Sequence, residues 1–470
     1  MDTFVYKDHK KLRCGYTTGT CAAIAAQGAV RFLLTGSWKE TEEIMTPKGI
    51  PVCVSLEEKT SGDSWAECAV RKDAGDDYDV TNRILVYARA EFVKDKNFYE
   101  KVQMSHLESS GFGAAGEKPG LSPENQKQQK KANAAHQKEA LPESLVRIDG
   151  GIGIGRITKS GLDQPVGAAA INSVPRKMIR DAVYELLEEA GELRLVSITI
   201  SVPAGVEAAK KTFNPVLGIE GGISVLGTSG IVEPMSEEAL VETIRTHLNV
   251  LKAEGRKWVI AVPGNMGAGF LERYLVEHGK FCTDAHQGSN AADTDAAVEA
   301  EQMAYGELST GTEPSLLEGF MNSLVTMSNF VGRTIDITAE LGFSGIMIAG
   351  HMGKLVKIGN GIMNTHSREA DGRMDTMLSC ALSAGTEDLE LLRKIQRSNT
   401  TDEVMDHLKQ AGILDDTIKV FLKRAAWHLA HRSRAEVKTG MIVFGTKGEY
   451  LGETEDADMI LKNALEELGR

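Results

Sequence analysis

Between residues 21 and 34 the chain reads CAAIAAQGAVRFLL, with apolar side chains on more than one helical face. That pattern predicts a buried helix, opened by Thr18 or Thr20 as the cap and stopped by Gly36. Runs of strand character follow at 50–56, 65–71 and 84–92, and the block 149–180 is rich in glycine before it turns helical. The segment VSITISV at 196–202 starts a new strand, and strand-like and helix-like segments then alternate to the end. Alternation of that kind belongs to α/β sheets. Two short apolar runs end in glycine turns: WVIAV (258–262) runs into PGNMGAG, and IMIA (346–349) runs into GHMGK. The expected fold is α/β, with a mixed α+β N-terminal domain over 1–194, an α/β C-terminal domain over 195–470, and a cleft between them.

Two stretches interrupt the periodicity. Residues 117–140 carry five lysines and three glutamates with almost no large apolar side chain. They cannot bury enough surface to offset their ordering entropy, so a flexible insertion is expected over about 100–145. Residues 284–313 carry seven acids and no Lys or Arg, which reads as an exposed acidic insertion. The chain has 470 residues, 42% of them apolar, and a net charge of −13. That balance disfavours nucleic acid as a partner. No apolar run reaches the ~20 residues of a membrane span, and the N-terminus lacks an apolar signal core. Six cysteines without a CxxC pair fit reduced thiols in a cytoplasm.

Candidate chemistry concentrates at 350–373, GHMGKLVKIGNGIMNTHSREADGR. His351, His366, Lys354, Lys357, Arg368, Arg373 and Asp371 all follow a strand that ends in glycine. Open α/β sheets build sites at such strand ends, and cations beside flexible backbone suit carboxylates or phosphates. At the opening helix, Thr17, Thr18 and Thr20 are either an anion receptor or plain caps. The acidic loop RKDAGDDYDVT (71–81) is a tight turn, an amine or ribose site, or a base with a raised pKa; its spacing is not that of an EF-hand. GGIGIGRITK (150–159) leads to NSVPRK (172–177), pairing glycines with Arg156, Lys159, Arg176 and Lys177. GGISVLGTSGIV (221–232) lacks a P-loop lysine, with Ser236 as a helix cap beyond it. GNMGAG (264–269) is not GxGxxG, although Asp284 stands where a ribose-binding acid would.

Taken together, GYTTGTCAA (15–23), KDAGDDYDVT (72–81), GIGRITKSGL with AINSVPRKMI (153–179), FNPVLGIEGGISVLGTSGIVEPMS (213–236), PGNMG (263–267), SNFVG (328–332) and the 350–373 stretch resemble the cobalt-precorrin-5B C1-methyltransferase family of anaerobic cobalamin biosynthesis. Tyr78, Ser160 and Ser173 stand where that family usually has proline, and Ala168 where it has an acid. The resemblance implies methyl transfer from S-adenosylmethionine to C1 of cobalt-precorrin-5B, giving cobalt-precorrin-6A. Cobalt then belongs to the tetrapyrrole substrate, and the protein needs no metal of its own. The ring carboxylates would fall to Thr17, Thr18, Thr20, Lys159, Arg176, Lys354, Lys357 and Arg368. The methyl donor would lie on Gly221, Gly222, Gly227, Thr228 and Gly230, and on Gly264, Asn265 and Gly267. His351, His366 and Asp371 are the catalytic candidates. The glycine signature of the usual tetrapyrrole methylases is absent. A non-catalytic corrinoid carrier and a nucleotide-dependent oxidoreductase are the alternative classes.

Overall fold

The structure, a computed structural model, describes residues 3–7, 9–93, 145–278 and 316–469. The expected insertions at 117–140 and 284–313 lie outside the described residues. The chain divides into two compact units, Met1–Thr158 with Asp163–Met235 and Lys159–Leu162 with Ser236–Arg470.

The first unit opens with a hairpin of β1 (Phe4–Lys7) and β2 (Lys10–Arg13), then a short β3 (Gly15–Tyr16). The expected helix follows as α1 (Thr18–Thr35), buried from Thr18 to Val30. Its cap is Thr17, one residue before the earlier of the two expected positions: the Thr17 hydroxyl accepts from the Thr20 amide at 3.2 Å. Gly36 ends the helix at φ 71°, a left-handed turn that suits glycine. A hairpin of β4 (Thr41–Met45) and β5 (Pro51–Ser55) precedes β6 (Glu57–Ser61), β7 (Trp65–Arg71) and β8 (Leu85–Phe92). Next come β9 (Val146–Gly150), β10 (Gly153–Ile154), β11 (Arg156–Ile157), α2 (Ser173–Ala190) and β12 (Val196–Ser201). The five-stranded sheet has the order β6-β7-β8-β12-β9. Val196, Ile198 and Ile200 of β12 point into the core with α1 and α2, while Ser197, Thr199 and Ser201 alternate away from it. β12 pairs antiparallel with β8 and parallel with β9, Val196 standing opposite both Phe92 and Val146. These pairings place β12 in the first sheet, so the division falls at Met235 and Ser236 rather than at 194 and 195. Small ladders complete the unit: α3 (Gly205–Ala209) leads to β13 (Ile219–Glu220), β14 (Gly222–Ile223) and β15 (Ile231–Val232), which pair with β11, β10 and β3.

The second unit is a three-layer α/β sandwich. Its elements run α4 (Glu237–Ala253), β16 (Trp258–Val262), α5 (Asn265–Glu277), α6 (Leu316–Ser323), β17 (Val325–Thr326), α7 (Val331–Glu340), β18 (Gly345–His351) and α8 (Met352–Leu355). A 3-10 turn (Val356–Asn360) leads to α9 (Arg373–Ser383), α10 (Leu389–Arg397), α11 (Thr401–Gln410), α12 (Leu414–Arg432), β19 (Lys438–Phe444), β20 (Tyr450–Glu453) and α13 (Ala457–Leu468). The sheet order is β17-β16-β18-β19-β20, parallel except for the antiparallel edge strand β20. Period-two side-chain alternation explains the two cores. Ile260, Val262, Met347, Ala349, Ile442 and Phe444 face α5, α6 and α13. Val259, Ala261, Ile346, Ile348, Met441 and Val443 face the helices of the other side. Strands buried on both faces read as unbroken apolar runs, as WVIAV and IMIA do.

Candidate functional site

The order β17-β16-β18-β19 sets a topological switch point. From β16 the chain goes on to β17 on one side, and from β18 it goes on to β19 on the other. Ligands of open α/β sheets bind where neighbouring strands part in this way, at their carboxyl ends. Here those ends are Val262 and His351. The turn after β16 carries Gly264, Asn265 and Gly267. A Cβ on Gly264 would meet nothing within 4 Å, so that backbone faces open space. Asn265 and Met266 are exposed at the start of α5. A Cβ on Gly267 would come within 2.9 Å of the Ala349 carbonyl oxygen and 3.0 Å of Val262 Cβ, so glycine lets the first turn of α5 lie directly on β18.

The turn after β18 is held by His351, the cap of α8. Its Nδ1 accepts from the Gly353 amide at 3.0 Å, and its Nε2 lies 2.9 Å from Thr446 Oγ1. Thr446, just past β19, donates in turn to Asp402 Oδ2 at 2.6 Å, from the first turn of α11. The His351 ring packs edge-on against Phe444.

The loop that follows is drawn back onto the unit. Lys357 is 3% exposed and donates to the carbonyls of Thr365 at 3.0 Å and Ala370 at 2.9 Å. Burial pushes its ammonium below the ordinary lysine range, with Asp371 acting in the opposite direction. Thr365 bonds to Asn329 through both its amide and its hydroxyl, which ties the loop to the exit of β17. His366 is exposed and its Nδ1 accepts from the Arg368 amide, so it anchors the loop locally. Asp371 is held by Arg373 at 2.5 Å, and that bond keeps its carboxyl below the usual range. Lys354 and Arg368 are exposed.

In the first unit most of the expected site residues hold other parts of the chain. Thr18 exchanges bonds with the backbone of Leu226, and Thr20 donates to the Gly230 carbonyl at 2.6 Å. The three threonines therefore fasten the 226–230 loop instead of presenting free hydroxyls. A Cβ on Gly222 would strike the Gly153 backbone, and one on Gly153 would strike Val202 O. Those glycines serve backbone-to-backbone packing and not a flat ligand. Gly227 and Gly230 are closed off by Thr17 and Thr46, at 2.5 Å and 2.8 Å from the added Cβ. Gly221 faces open space, and Thr228 is exposed. Arg176 donates to the carbonyls of Ile171, Ile148 and Ala169, and burial lowers its pKa. Lys159, which belongs to the second unit, pairs with Glu254 there at 3.0 Å.

The acidic loop is a fastener as well. Asp73 grips Arg13 through both oxygens, Asp76 accepts from the Arg13 amide, and Asp77 accepts from the Met235 amide. Asp79 bonds buried Lys72 and Thr81; burial opposes its ionisation, and these partners outweigh that and lower its pKa. Among the described residues no group of three or more His, Cys, Asp or Glu side chains is placed to hold a metal ion.

Against known proteins, the family described as CbiD matches residues 5–129 and 126–234, and the one described as CbiD, C-terminal domain, matches 364–455. The chain belongs to the CbiD family. A relative from Ruminiclostridium cellulolyticum is 35% identical over 444 residues, covering 94% of this chain and 92% of the relative. One from Thermoanaerobacter is 36% identical, covering 88% and 87%, and one from Methanocaldococcus jannaschii is 33% identical, covering 95% and 98%. All three bear the name cobalt-precorrin-5B C(1)-methyltransferase. A crystal structure of the cobalamin biosynthesis protein cbiD from Archaeoglobus fulgidus aligns at 21% identity over 79% of this chain and 87% of that one, with a TM-score of 0.33, too low to carry geometry across.

Both switch-point turns of this CbiD chain lie between residues 234 and 364, outside the three matched ranges, and the alignments to the relatives, which cover 94% and 95% of this chain, span them. Sequence reasoning missed Thr446 and Asp402. Thr446 was within reach, since Met441 to Phe444 is an apolar run ending in Gly445, the same signal that singles out Gly350. Asp402 carries no such signal. It lies 44 residues from Thr446, and only the fold brings them together.

Proposed function

We propose that this chain transfers a methyl group from S-adenosylmethionine to C1 of cobalt-precorrin-5B, giving cobalt-precorrin-6A and S-adenosylhomocysteine in anaerobic cobalamin biosynthesis. The observation that carries the reading is similarity along almost the whole chain to relatives that bear this activity in their names. The switch point of the second unit supports it with a place for a nucleoside. Gly264 leaves open room, and α5 begins there, with no side-chain cap, at its positive dipole end. Gly264, Asn265 and Gly267 would hold the donor beside the 350–353 turn.

When bound, S-adenosylmethionine supplies a methyl group already activated on sulfonium. The C1–CH3 bond would form as the S–CH3 bond breaks, with the conjugated ring supplying the electron pair and the sulfur keeping its own. The task left to the protein is alignment of carbon, methyl and sulfur. Lys354 and Arg368, exposed on the loop side, are the residues best placed to meet ring carboxylates. Lys357 on the same loop acts one step back, since its ammonium holds the Thr365 and Ala370 carbonyls.

The test is a single-turnover reaction of purified protein, cobalt-precorrin-5B and methyl-labelled S-adenosylmethionine. One label transferred to the ring at C1 supports the reading. Binding of the corrinoid without transfer would favour a carrier, and binding of NAD in preference to the sulfur nucleoside would favour an oxidoreductase.

A further inference from the structure

We propose that Asp402, Thr446 and His351 form a positioning relay that locks the 350–354 turn, with His351 held as a neutral ring protonated on Nε2 and moving no proton during the reaction. The hydrogen-bond pattern assigns the tautomer. Gly353 donates to Nδ1, so that nitrogen carries no proton. The one hydroxyl proton of Thr446 goes to Asp402, so toward His351 the hydroxyl accepts, and Nε2 must be the donor. Both ring nitrogens are then engaged. Acting as a base would cost the cap on Gly353, and acting as an acid would break the link to Thr446.

The relay joins the end of β18, the loop after β19 and the first turn of α11. Its carboxylate end is well founded. Asp402 sits where the helix dipole favours negative charge. The same turn is capped by Thr400, which accepts from the Glu403 amide at 3.2 Å, while Glu403 reaches back to the Asn399 amide at 2.9 Å. At the other end Gly353 is hemmed in: an added Cβ would come within 2.9 Å of His351 Nδ1 and 3.4 Å of Thr401 Oγ1. Phe444 also packs edge-to-face on the ring, with centroids 5.9 Å apart at 69°. A turn fixed at three points is what an alignment-driven reaction requires.

The kinetic arm of the test rests on the function proposed above, and the spectroscopic arm does not. In full-length protein with 15N-labelled histidine, the His351 ring at neutral pH should show a proton on Nε2 and none on Nδ1. Thr446→Val should quicken exchange of the Nε2 proton with water at least tenfold and lower turnover roughly tenfold or more through misplacement of the turn. Thr446→Ser should restore both. Asp402→Ala breaks the chain at its far end and should act like Thr446→Val if that variant folds poorly. His351→Asn keeps an acceptor for Gly353 and loses the link to Thr446, so it should lower turnover about as far as Thr446→Val does and leave the pH–rate profile in shape. Loss of one limb of that profile with turnover down about a hundredfold or more, the mark of lost acid–base catalysis, would overturn the proposal. So would a wild-type ring protonated on Nδ1, or Thr446→Val matching wild type in ring exchange and turnover. If wild-type protein transfers no methyl group, the functional reading fails, and the ring spectra still decide the relay.

Discussion

Replacing Lys357 with methionine separates two roles that the sequence could not tell apart. As a carboxylate ligand, Lys357 would touch the substrate. In the structure its ammonium is 3% exposed and holds the carbonyls of Thr365 and Ala370. Each bond from a charged donor is worth about 1.5–3 kcal/mol against leaving its acceptor buried and unpaired. Against that stands the desolvation penalty of the buried ammonium, of several kcal/mol, which methionine removes while keeping most of the apolar stem. The net cost should be about 2 kcal/mol. It should appear first as opening of the 365–370 loop, because those two carbonyls are what the lysine holds. At about 1.4 kcal/mol per decade, that raises the open population roughly thirtyfold. Hydrogen exchange followed by mass spectrometry should therefore show the Thr365 and Glu369 amides, which bond to Asn329 and His366 carbonyls, exchanging some thirtyfold faster. S-adenosylhomocysteine affinity should stay within about twofold, as the 263–267 turn joins β16 to α5 and is no part of the loop that Lys357 holds. Unchanged loop protection combined with a tenfold rise in the corrinoid Michaelis constant would refute the reasoning and make Lys357 a direct ligand.

Three further outcomes follow from single contacts. His247, buried in α4, has its pKa pushed from the ordinary 6.5 to about 4, by burial first and by Lys159 second. Below pH 6.5 the unfolded chain takes up a proton that the folded chain refuses, so this stability is present above pH 6.5 and lost as pH falls toward 4. Denaturation at pH 7.5 and pH 5 should differ by about 2 kcal/mol on this account, and His247→Gln should remove that difference. Gly267→Ala should force the first turn of α5 off the Ala349 carbonyl, costing about 1–3 kcal/mol of overpacking less about 1 of helix propensity. Calorimetry should then show S-adenosylhomocysteine binding weakened severalfold; unaltered affinity would separate that turn from the donor. Lys72→Met strands Asp79, whose side chain is 21% exposed and still holds Thr81, so the loss should be about 2–3 kcal/mol, below the full penalty of a buried pair. The double variant with Asp79→Asn should recover part of it in urea titration, and no recovery would mean that the pair is not coupled.

What the sequence determined by itself is local. The helix Thr18–Thr35 with its glycine stop, the strand Trp65–Arg71, the Ser236 cap, and the strand–turn–helix passages at β16 and β18 all follow from apolar periodicity and turn residues within a few positions of one another. The ordered motifs were enough to indicate the family. Tertiary structure decided whatever depends on partners far along the chain. Thr18 bonds to Leu226 across 208 residues and Thr20 to Gly230 across 210, which makes a fastener of what in sequence reads equally as an anion receptor or as caps. Strand pairing drew Val196–Ser201 into the first sheet, since an apolar strand carries no label for its neighbours. A glycine that meets a ligand and one that meets another backbone look the same in sequence, and only packing distinguished Gly264 from Gly222. For polar side chains the reason is similar. Lys357, Arg176 and His351 have hydrogen-bonding capacity that either a substrate or the protein can satisfy, and the fold fills it first wherever burial would leave a donor or acceptor unpaired.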